Sequence, residues 1–402
     1  MRKILLFSVF LILGLVSSQI LPNLIGAEAY GGLKYVLDAL LYVCLAFIMI
    51  NVGREFELNK KEWRSYSADY FIAMATAAFP WIFICIYYMM MLPSEYFSNW
   101  EAWKENLLLS RFAAPTSAGI LFTMLAGAGL KNSWIYKKTQ VLAIFDDLDT
   151  ILLMIPLQIL MIGMKWQLGI IVLVVAVCLY VGWKYLSKFD FNQSSKALLG
   201  YSVILVFICQ GLYMLTKKMY GSDSAVHIEV LLPAFVLGMI MRSKHSDCPI
   251  EAKISSFISY LFMLLVGLST PLFIGVDFSA VVSDKVISTV LPPMSWGEIA
   301  YHVVIVTALS NLGKMFPLFF YRDRAVIERL ALSIGMFTRG EVGAGIIFIA
   351  IGYNLGGPLL IISLLTIVLN LLLTGFFVII VKKLAITAEN KQKIKEQQIV
   401  IS

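Results

Sequence analysis

The sequence predicts an all-α polytopic membrane protein with about twelve transmembrane helices, and three observations support this prediction. First, 60% of the 402 residues are apolar and only 14% are charged, whereas soluble domains are roughly half apolar and a quarter charged. Second, twelve apolar runs approach the ~20 helical residues that cross ~30 Å of hydrocarbon. Third, basic residues are dense in alternate loops. A soluble globular protein is therefore excluded.

The twelve runs cover nearly the whole chain, and no connection between them is long enough to fold as a separate domain. The first run follows two basic residues and is interpreted as a transmembrane helix, with a cleaved signal peptide as the alternative. The polar segment 382–402 is predicted to be a short cytoplasmic tail with frayed helical structure. The runs comprise residues 4–20, 35–52, 69–91, 106–129, 139–163, 168–183, 197–216, 226–241, 254–276, 300–321, 330–350 and 358–381.

The distribution of basic residues predicts the topology. The N-terminus, the tail and every second loop contain 23 of the 32 Lys and Arg residues, and the other loops contain six. Basic loops remain in the cytoplasm, so both termini and the first set of loops are predicted to be cytoplasmic. The net charge of +7 therefore reflects membrane topology and not nucleic-acid binding.

Two runs contain helix-breaking sequence near their middle. The fourth contains Pro115 within RFAAPTSAG, and the eleventh contains four glycines in GMFTRGEVGAG. Proline removes a backbone donor and glycine weakens a helix, so both segments are expected to unwind. Each is the middle member of a triplet of runs, and the two triplets run in opposite senses. This pattern predicts an inverted-repeat transporter in which two discontinuous helices cross near the midplane.

Charged residues lie inside the same runs. The fifth run contains three carboxylates in FDDLDT, and a charge at such depth costs at least ~2.5 kcal/mol and by default marks an ion pathway. At a rise of ~1.5 Å per residue, Asp147, Pro115, Arg339 and Lys314 lie roughly 9 to 16 Å from the cytoplasmic edge. Four acids face three bases: Asp146, Asp147, Asp149 and Glu341 against Arg111, Lys314 and Arg339.

A surplus of one negative charge suits a monovalent cation or a proton. Hard oxygen ligands suit Na⁺, Li⁺ or K⁺, so Asp147 is predicted to bind the ion with hydroxyls or carbonyls of Thr116 and Ser117. We expect protons and the metal cation to compete for the same oxygens. Competition at one alternating-access site predicts exchange and not co-transport.

Helical geometry divides the roles of the acids. Asp146 and Asp149 share one face of a helix, whereas adjacent residues point about 100° apart. One acid is therefore expected to bind the ion while another pairs with a base, and Lys314 is the first choice for that base. Arg339 is expected to brace the broken helix. Arg111 remains open between a counter-charge to an acid and a side chain that extends outward.

These motifs, in this order, resemble those of the monovalent cation:proton antiporters, the sodium/proton exchanger superfamily, and especially its bacterial two-aspartate branch. The resemblance covers nearly the whole chain and rests on NVGREFEL, AAPTSAG, FDDLDT, SNLGK and GMFTRGEVGAG. It implies an antiporter fold and site roles for seven residues. Asp147 would carry the ion and proton, Asp146 would pair with Lys314, Thr116 and Ser117 would lie in the crossing, and Arg339 with Glu341 would form a structural ion pair.

The resemblance also implies an organisation. A mobile core bundle would comprise 69–163 and 300–381, and dimerisation helices would comprise 4–52 and 197–276. The expected protein is a homodimer of the bacterial inner membrane that uses no cofactor, serves pH homeostasis and moves more protons than metal ions. Two features depart from the family pattern, since Thr338 precedes Arg-Gly-Glu where proline is expected and Asp149 is an additional acid.

Four alternatives remain beside sodium or lithium exchange. Potassium/proton antiport is less expected because the chain contains no large nucleotide-binding domain. A sodium-coupled solute symporter would share the inverted-repeat architecture, and a channel or sensor would lack coupled proton movement. An intramembrane protease is the main enzymatic alternative and the least expected one, because the three aspartates share one helix and the three histidines form no HExxH motif.

Overall fold

The computed structural model describes residues 2–55, 63–162, 166–220, 230–241, 249–269, 286–292, 294–353 and 355–401. Within these ranges the regular structure is helical, apart from one isolated bridge between Phe189 and Met241. The helices are α1 Arg2–Ile25, α2 Ala27–Glu55, α3 Trp63–Met91, α4 Trp100–Ser110, α5 Ala118–Gly127, α6 Trp134–Ile162, α7 Trp166–Lys184, α8 Ser195–Tyr220, α9 Leu231–Ile240, α10 Pro249–Leu268, α11 Val286–Val290, α12 Trp296–Gly313, α13 Val326–Gly335, α14 Glu341–Gly352 and α15 Gly357–Ile401.

The helices confirm the predicted all-α membrane fold. Where its residues are described, each predicted run coincides with a helix or, for the fourth and eleventh runs, with two helices separated by a break. Residues 226–229 and 270–276 of the eighth and ninth runs lie outside the described residues. In the part of the chain that the structure describes, seven helical stretches are long and apolar enough to cross a membrane, and two shorter apolar helices, Gly169–Lys184 and Lys253–Leu268, accompany them. The predicted tail is helical as far as Ile401, because α15 continues without interruption from the last run into it.

One compact unit consists of Met1–Val9, Glu62–Leu153 and Thr270–Ser402. In this unit α3 packs along α12, and α12 and α13 pack on α15. The approach of α12 to α3 is close at Gly313, where a Cβ atom would lie 2.6 Å from Pro80 Cα. Only a residue without a side chain fits this position.

The second compact unit consists of Phe10–Lys61 and Met154–Ser269. Here α2 packs along α9 and α8, and the α2–α9 contact depends on facing glycines, Gly53 and Gly238, because a Cβ on either would meet the backbone of the other helix. Small residues at helix crossings allow the close backbone approach that stabilises helix association in membranes. The boundary between the units at Leu153 and Met154 falls inside α6.

Candidate functional site

The two breaks cross each other inside the first unit. The backbone N–H of Ser117, in the break between α4 and α5, donates to the carbonyl of Thr338 at 3.1 Å. The Thr116 hydroxyl donates to the carbonyl of Met336 at 3.2 Å. A Cβ atom on Gly340 would lie 2.7 Å from Ile120 Cδ1 and 2.9 Å from Ser117 Oγ. The unwound segments therefore satisfy each other's backbone groups at a contact that only glycine permits.

The local sequence explains the first break. A 3₁₀ turn, Arg111–Ala113, follows α4 directly, and Pro115 has no N–H with which to continue a helix. Ser117 has extended backbone, with φ −70° and ψ 96°, immediately before α5. The predicted unwinding of the fourth run is therefore observed at residues 111–117.

Asp146 connects α6 to this break and to α12. Its Oδ2 accepts a hydrogen bond from the Thr116 backbone N–H at 2.8 Å and another from Lys314 Nζ at 2.9 Å. Asp146 and Lys314 both have 0% exposure. The backbone N–H that the unwound segment leaves free and the Lys314 ammonium therefore both donate to the same Asp146 oxygen. A buried carboxylate requires such donors.

Asp147 follows on α6 and is buried, with 3% exposure. It contributes to the electrostatic field at the Lys314 ammonium, together with Asp146. The helical step turns its side chain about 100° from that of Asp146. The two acids that sequence reasoning singled out first are therefore adjacent at the crossing but point in different directions.

Arg111 is fully buried in the 3₁₀ turn. Its Nη2 donates to the backbone carbonyl of Asp149 at 3.2 Å and lies 3.7 Å from Oδ2 of the Asp149 carboxylate. The guanidinium carbon lies 4.5 Å from the centroid of the Trp81 ring, and Trp81 Nε1 donates to the Leu107 carbonyl at 2.8 Å. Of the alternatives for Arg111, the structure favours a counter-charge to an aspartate over an outward-extending side chain.

Arg339 braces the second break. Its Nη1 donates to the carbonyl of Met336 at 3.1 Å, and its Nη2 donates to the hydroxyl of Ser310 on α12 at 2.8 Å. The side chain is buried, with 1% exposure. Glu341 begins α14, but its side chain lies outside the described part of the structure, so the expected Arg339–Glu341 pair remains a prediction.

Sequence reasoning missed two partners of these charges. Trp81 stacks on Arg111, and Ser310 accepts from Arg339. Tryptophan is ordinary in an apolar run and carried no sequence signal, whereas Ser310 opens the SNLGK motif but was given no role there. Their contacts depend on how helices distant in the sequence are placed together.

A second buried polar cluster lies at the N-terminal ends of α3 and α6. Asp69, which is 1% exposed, accepts hydrogen bonds from Lys138 Nζ at 2.9 Å and from the Tyr321 hydroxyl at 2.7 Å. Trp134 packs edge-on against Tyr321. This cluster ties the connection between α12 and α13 to two helices of the same unit.

The arrangement suits a transient ion and not covalent chemistry. Three aspartates on one helix, backbone carbonyls at two breaks and compensating bases provide hard oxygen ligands with adjustable charge. Helix breaks are tolerated inside a bilayer only where they line a cavity or are buried in protein. Such a site can hold a small cation or a proton.

Comparison with known proteins identifies the fold. A family model described as "Sodium/hydrogen exchanger, transmembrane" matches residues 2–387. The solved structure of the sodium/proton antiporter MjNhaP1 from Methanocaldococcus jannaschii at pH 8 is similar, with a TM-score of 0.56 and 16% sequence identity over 95% of this chain and 92% of that chain. The sequences of curated proteins gave no match. At this identity the structural similarity establishes the fold alone.

Proposed function

We propose that this chain, which belongs to the sodium/hydrogen exchanger family, exchanges protons for Na⁺ or Li⁺ by alternating access, with Asp147 as the carboxylate that both ions share. Cation/proton antiport by a multi-pass membrane protein follows from the family, and it makes the chain a transporter and not an enzyme. The choice of cation and the role of each residue are the proposal. The observation that carries it is the buried contact of Asp146 with Lys314 and Thr116.

This contact supports different roles for the two adjacent aspartates, a structural role for Asp146 and ion binding for Asp147. Asp146 holds the unwound segment and compensates the Lys314 ammonium, so a cation that bound to Asp146 would have to displace a buried positive charge. Asp147 lies one residue further along α6 and remains the proposed carrier. The hydroxyls and carbonyls of Thr116 and Ser117 are proposed to complete the oxygen shell of the ion.

Competition between the two ions provides coupling. A buried carboxylate is neutralised either by a proton or by a metal cation, because an uncompensated charge is costly at this depth. If each form alone permits the change of access, the exit of one ion requires the entry of the other. We propose that Lys314 holds Asp146 in its place throughout, while Arg339 and Glu341 brace the second break.

The wider organisation is also proposed. We assign ion translocation to the core bundle, 69–163 and 300–381, and a scaffold and homodimer role to 4–52 and 197–276. The first compact unit contains both breaks and all the aspartates of FDDLDT, which supports the first assignment. We place both termini in the cytoplasm because of the lysine and arginine bias, and we place the chain in the two-aspartate branch in a bacterial inner membrane.

Proton flux in proteoliposomes tests the proposal. Vesicles with a pH gradient are challenged in turn with Na⁺, Li⁺ and K⁺ for the wild type, for Asp147→Asn and for the matched control Asp323→Asn, whose side chain is 75% exposed. We expect Na⁺ or Li⁺ to dissipate the gradient in the wild type and the control but not in D147N. Dissipation by K⁺ alone would favour potassium antiport, and no cation-dependent flux would favour a solute symporter.

A further inference from the structure

The Arg111–Asp149 pair is not used by the mechanism above, yet it belongs to the same buried cluster. Asp149 follows Asp146 by three positions on α6, so both side chains lie on one helical face. Arg111 belongs to the 3₁₀ turn that opens the first break. The pair therefore adjoins both the proposed carrier helix and the segment that is proposed to complete the ion's oxygen shell.

The geometry of the pair indicates that it acts through charge. The closest approach of the two side chains is 3.7 Å, longer than a charge-assisted hydrogen bond. Among the described residues, Arg111 Nε and Nη1 and Asp149 Oδ2 have no hydrogen-bond partner. Trp81 holds the guanidinium by stacking, which preserves the cation's position without neutralising it. If the pair served mainly to hold the two helices rigidly, the Arg111 guanidinium would donate two hydrogen bonds to the Asp149 carboxylate in a bidentate contact.

Charges this close to Asp147 change what it binds. In a buried site the fields of fixed charges are weakly screened, so a charge two residues away along the helix is felt by a bound cation. The other ionisable groups that face the pair are Asp146, Lys314 and Tyr70. If a mutation removes the charge of Arg111 or Asp149, a bound cation or proton must be lost or gained to restore the balance, because the buried cluster cannot keep an uncompensated charge.

We propose that Arg111 and Asp149 set the cation affinity and the working pH range of Asp147 through their opposing charges, without touching the ion. This inference rests on the proposed exchange at Asp147. It predicts that the loss of Asp149 and the loss of Arg111 change cation and proton affinity in opposite directions. Loss of Asp149 leaves an extra positive charge that repels cation and proton alike, whereas loss of Arg111 leaves an extra negative charge that attracts both.

Antiport kinetics of four proteins test this inference: the wild type, Asp149→Asn, Arg111→Gln and the double variant. The apparent KM for Na⁺ is measured on the alkaline side of the pH profile, together with the pH of half-maximal activity. We expect the KM to rise about tenfold in D149N and to fall by a similar factor in R111Q. The pH of half-maximal activity is expected to move down in D149N and up in R111Q, and both quantities are expected to return toward wild type in the double variant.

Two controls separate charge from structure. Arg111→Lys keeps the charge and is expected to retain the wild-type KM. Lys104→Gln removes a charge from α4 beside an exposed partner, Glu101, and is expected to change neither quantity. Shifts of both single variants in the same direction, or a double variant as impaired as the worse single one, would overturn the inference while leaving antiport intact. A wild type without cation-dependent proton flux would instead overturn the proposed function, and the inference with it.

Discussion

Lys314 is a fully buried ammonium whose Nζ lies 2.9 Å from a fully buried carboxylate, Asp146. Each charge makes the other tolerable, because an isolated ion at such a position loses its hydration without compensation. Lys314 follows directly after α12, so the position of its ammonium depends on where that helix ends. Helical geometry left open which aspartate pairs with Lys314, and the family resemblance implied Asp146. The partner of Arg111 was left open.

Removal of one member of this pair is expected to be far more damaging than removal of both. Lys314→Met leaves Asp146 as an unpaired buried charge and is expected to destabilise the protein by roughly 3–5 kcal/mol. The double variant Lys314→Met, Asp146→Asn removes both charges and is expected to recover most of that loss. Thermal unfolding of the purified protein measures both effects.

Lys104→Met provides the matched control for this comparison. Its ammonium pairs with Glu101 at 2.7 Å, but the Glu101 side chain is 58% exposed, so the expected change is about 0–1 kcal/mol. Equal unfolding temperatures for K314M and K104M would contradict the structural role assigned to the buried pair.

The broken helices are the elements that the sequence predicted most directly. Pro115 and the glycines of the eleventh run destabilise a helix through their own backbone chemistry, whatever packs around them. The crossing itself depends on tertiary placement, since the bond from Ser117 to Thr338 joins segments about two hundred residues apart. Sequence therefore indicates where a helix unwinds, but the partner of each unwound group is decided by packing.

Gly340→Ala tests the crossing at the scale of these two elements. The added Cβ atom would lie 2.7 Å from Ile120 Cδ1 and 2.9 Å from Ser117 Oγ, so the break would have to shift. Such overpacking costs roughly 1–3 kcal/mol, and the displaced Ser117 is expected to weaken cation-dependent flux as well. Thermal unfolding and proteoliposome flux measure the two consequences.

A glycine in the following helix supplies the control. A Cβ on Gly345 in α14 would have no heavy atom within 4 Å, so Gly345→Ala is expected to be neutral or to stabilise the protein by about 0.4–1 kcal/mol. If G340A were as stable and as active as G345A, the two breaks would not cross as closely as the structure indicates.

At the scale of the whole molecule, the apolar runs predicted nearly every helix because hydrocarbon thickness constrains element length directly. Among the described residues, apolarity and length alone identify seven spans, and several of the predicted runs are not among them. One of these runs, α6, carries the three aspartates, and another is divided into α13 and α14 by the second break. The candidate site therefore combines segments that fail the hydropathy rule, α6 and the eleventh run, with two that satisfy it, the fourth run and α12. Those two failures occur where buried charges and a helix break oppose stability.

The proposed topology predicts opposite accessibility for two loops. In a variant without the native cysteines, Asn192→Cys in the loop after α7 is expected to react with a membrane-impermeant thiol reagent only after the cells are permeabilised. Ser94→Cys in the loop after α3 is expected to react in intact spheroplasts. Both positions are exposed, so side-chain burial does not confound the comparison, and labelling in the reverse order would contradict cytoplasmic termini.

Proton release on cation binding tests the central claim most directly, because competition at Asp147 requires that a bound Na⁺ displace a proton. Purified protein in weakly buffered solution near the midpoint of its pH profile is mixed with NaCl, with choline chloride as the ionic-strength control. The pH is expected to fall for the wild type and for Asp323→Asn but not for Asp147→Asn. Binding of Na⁺ by the wild type without any proton release would contradict exchange at a shared carboxylate.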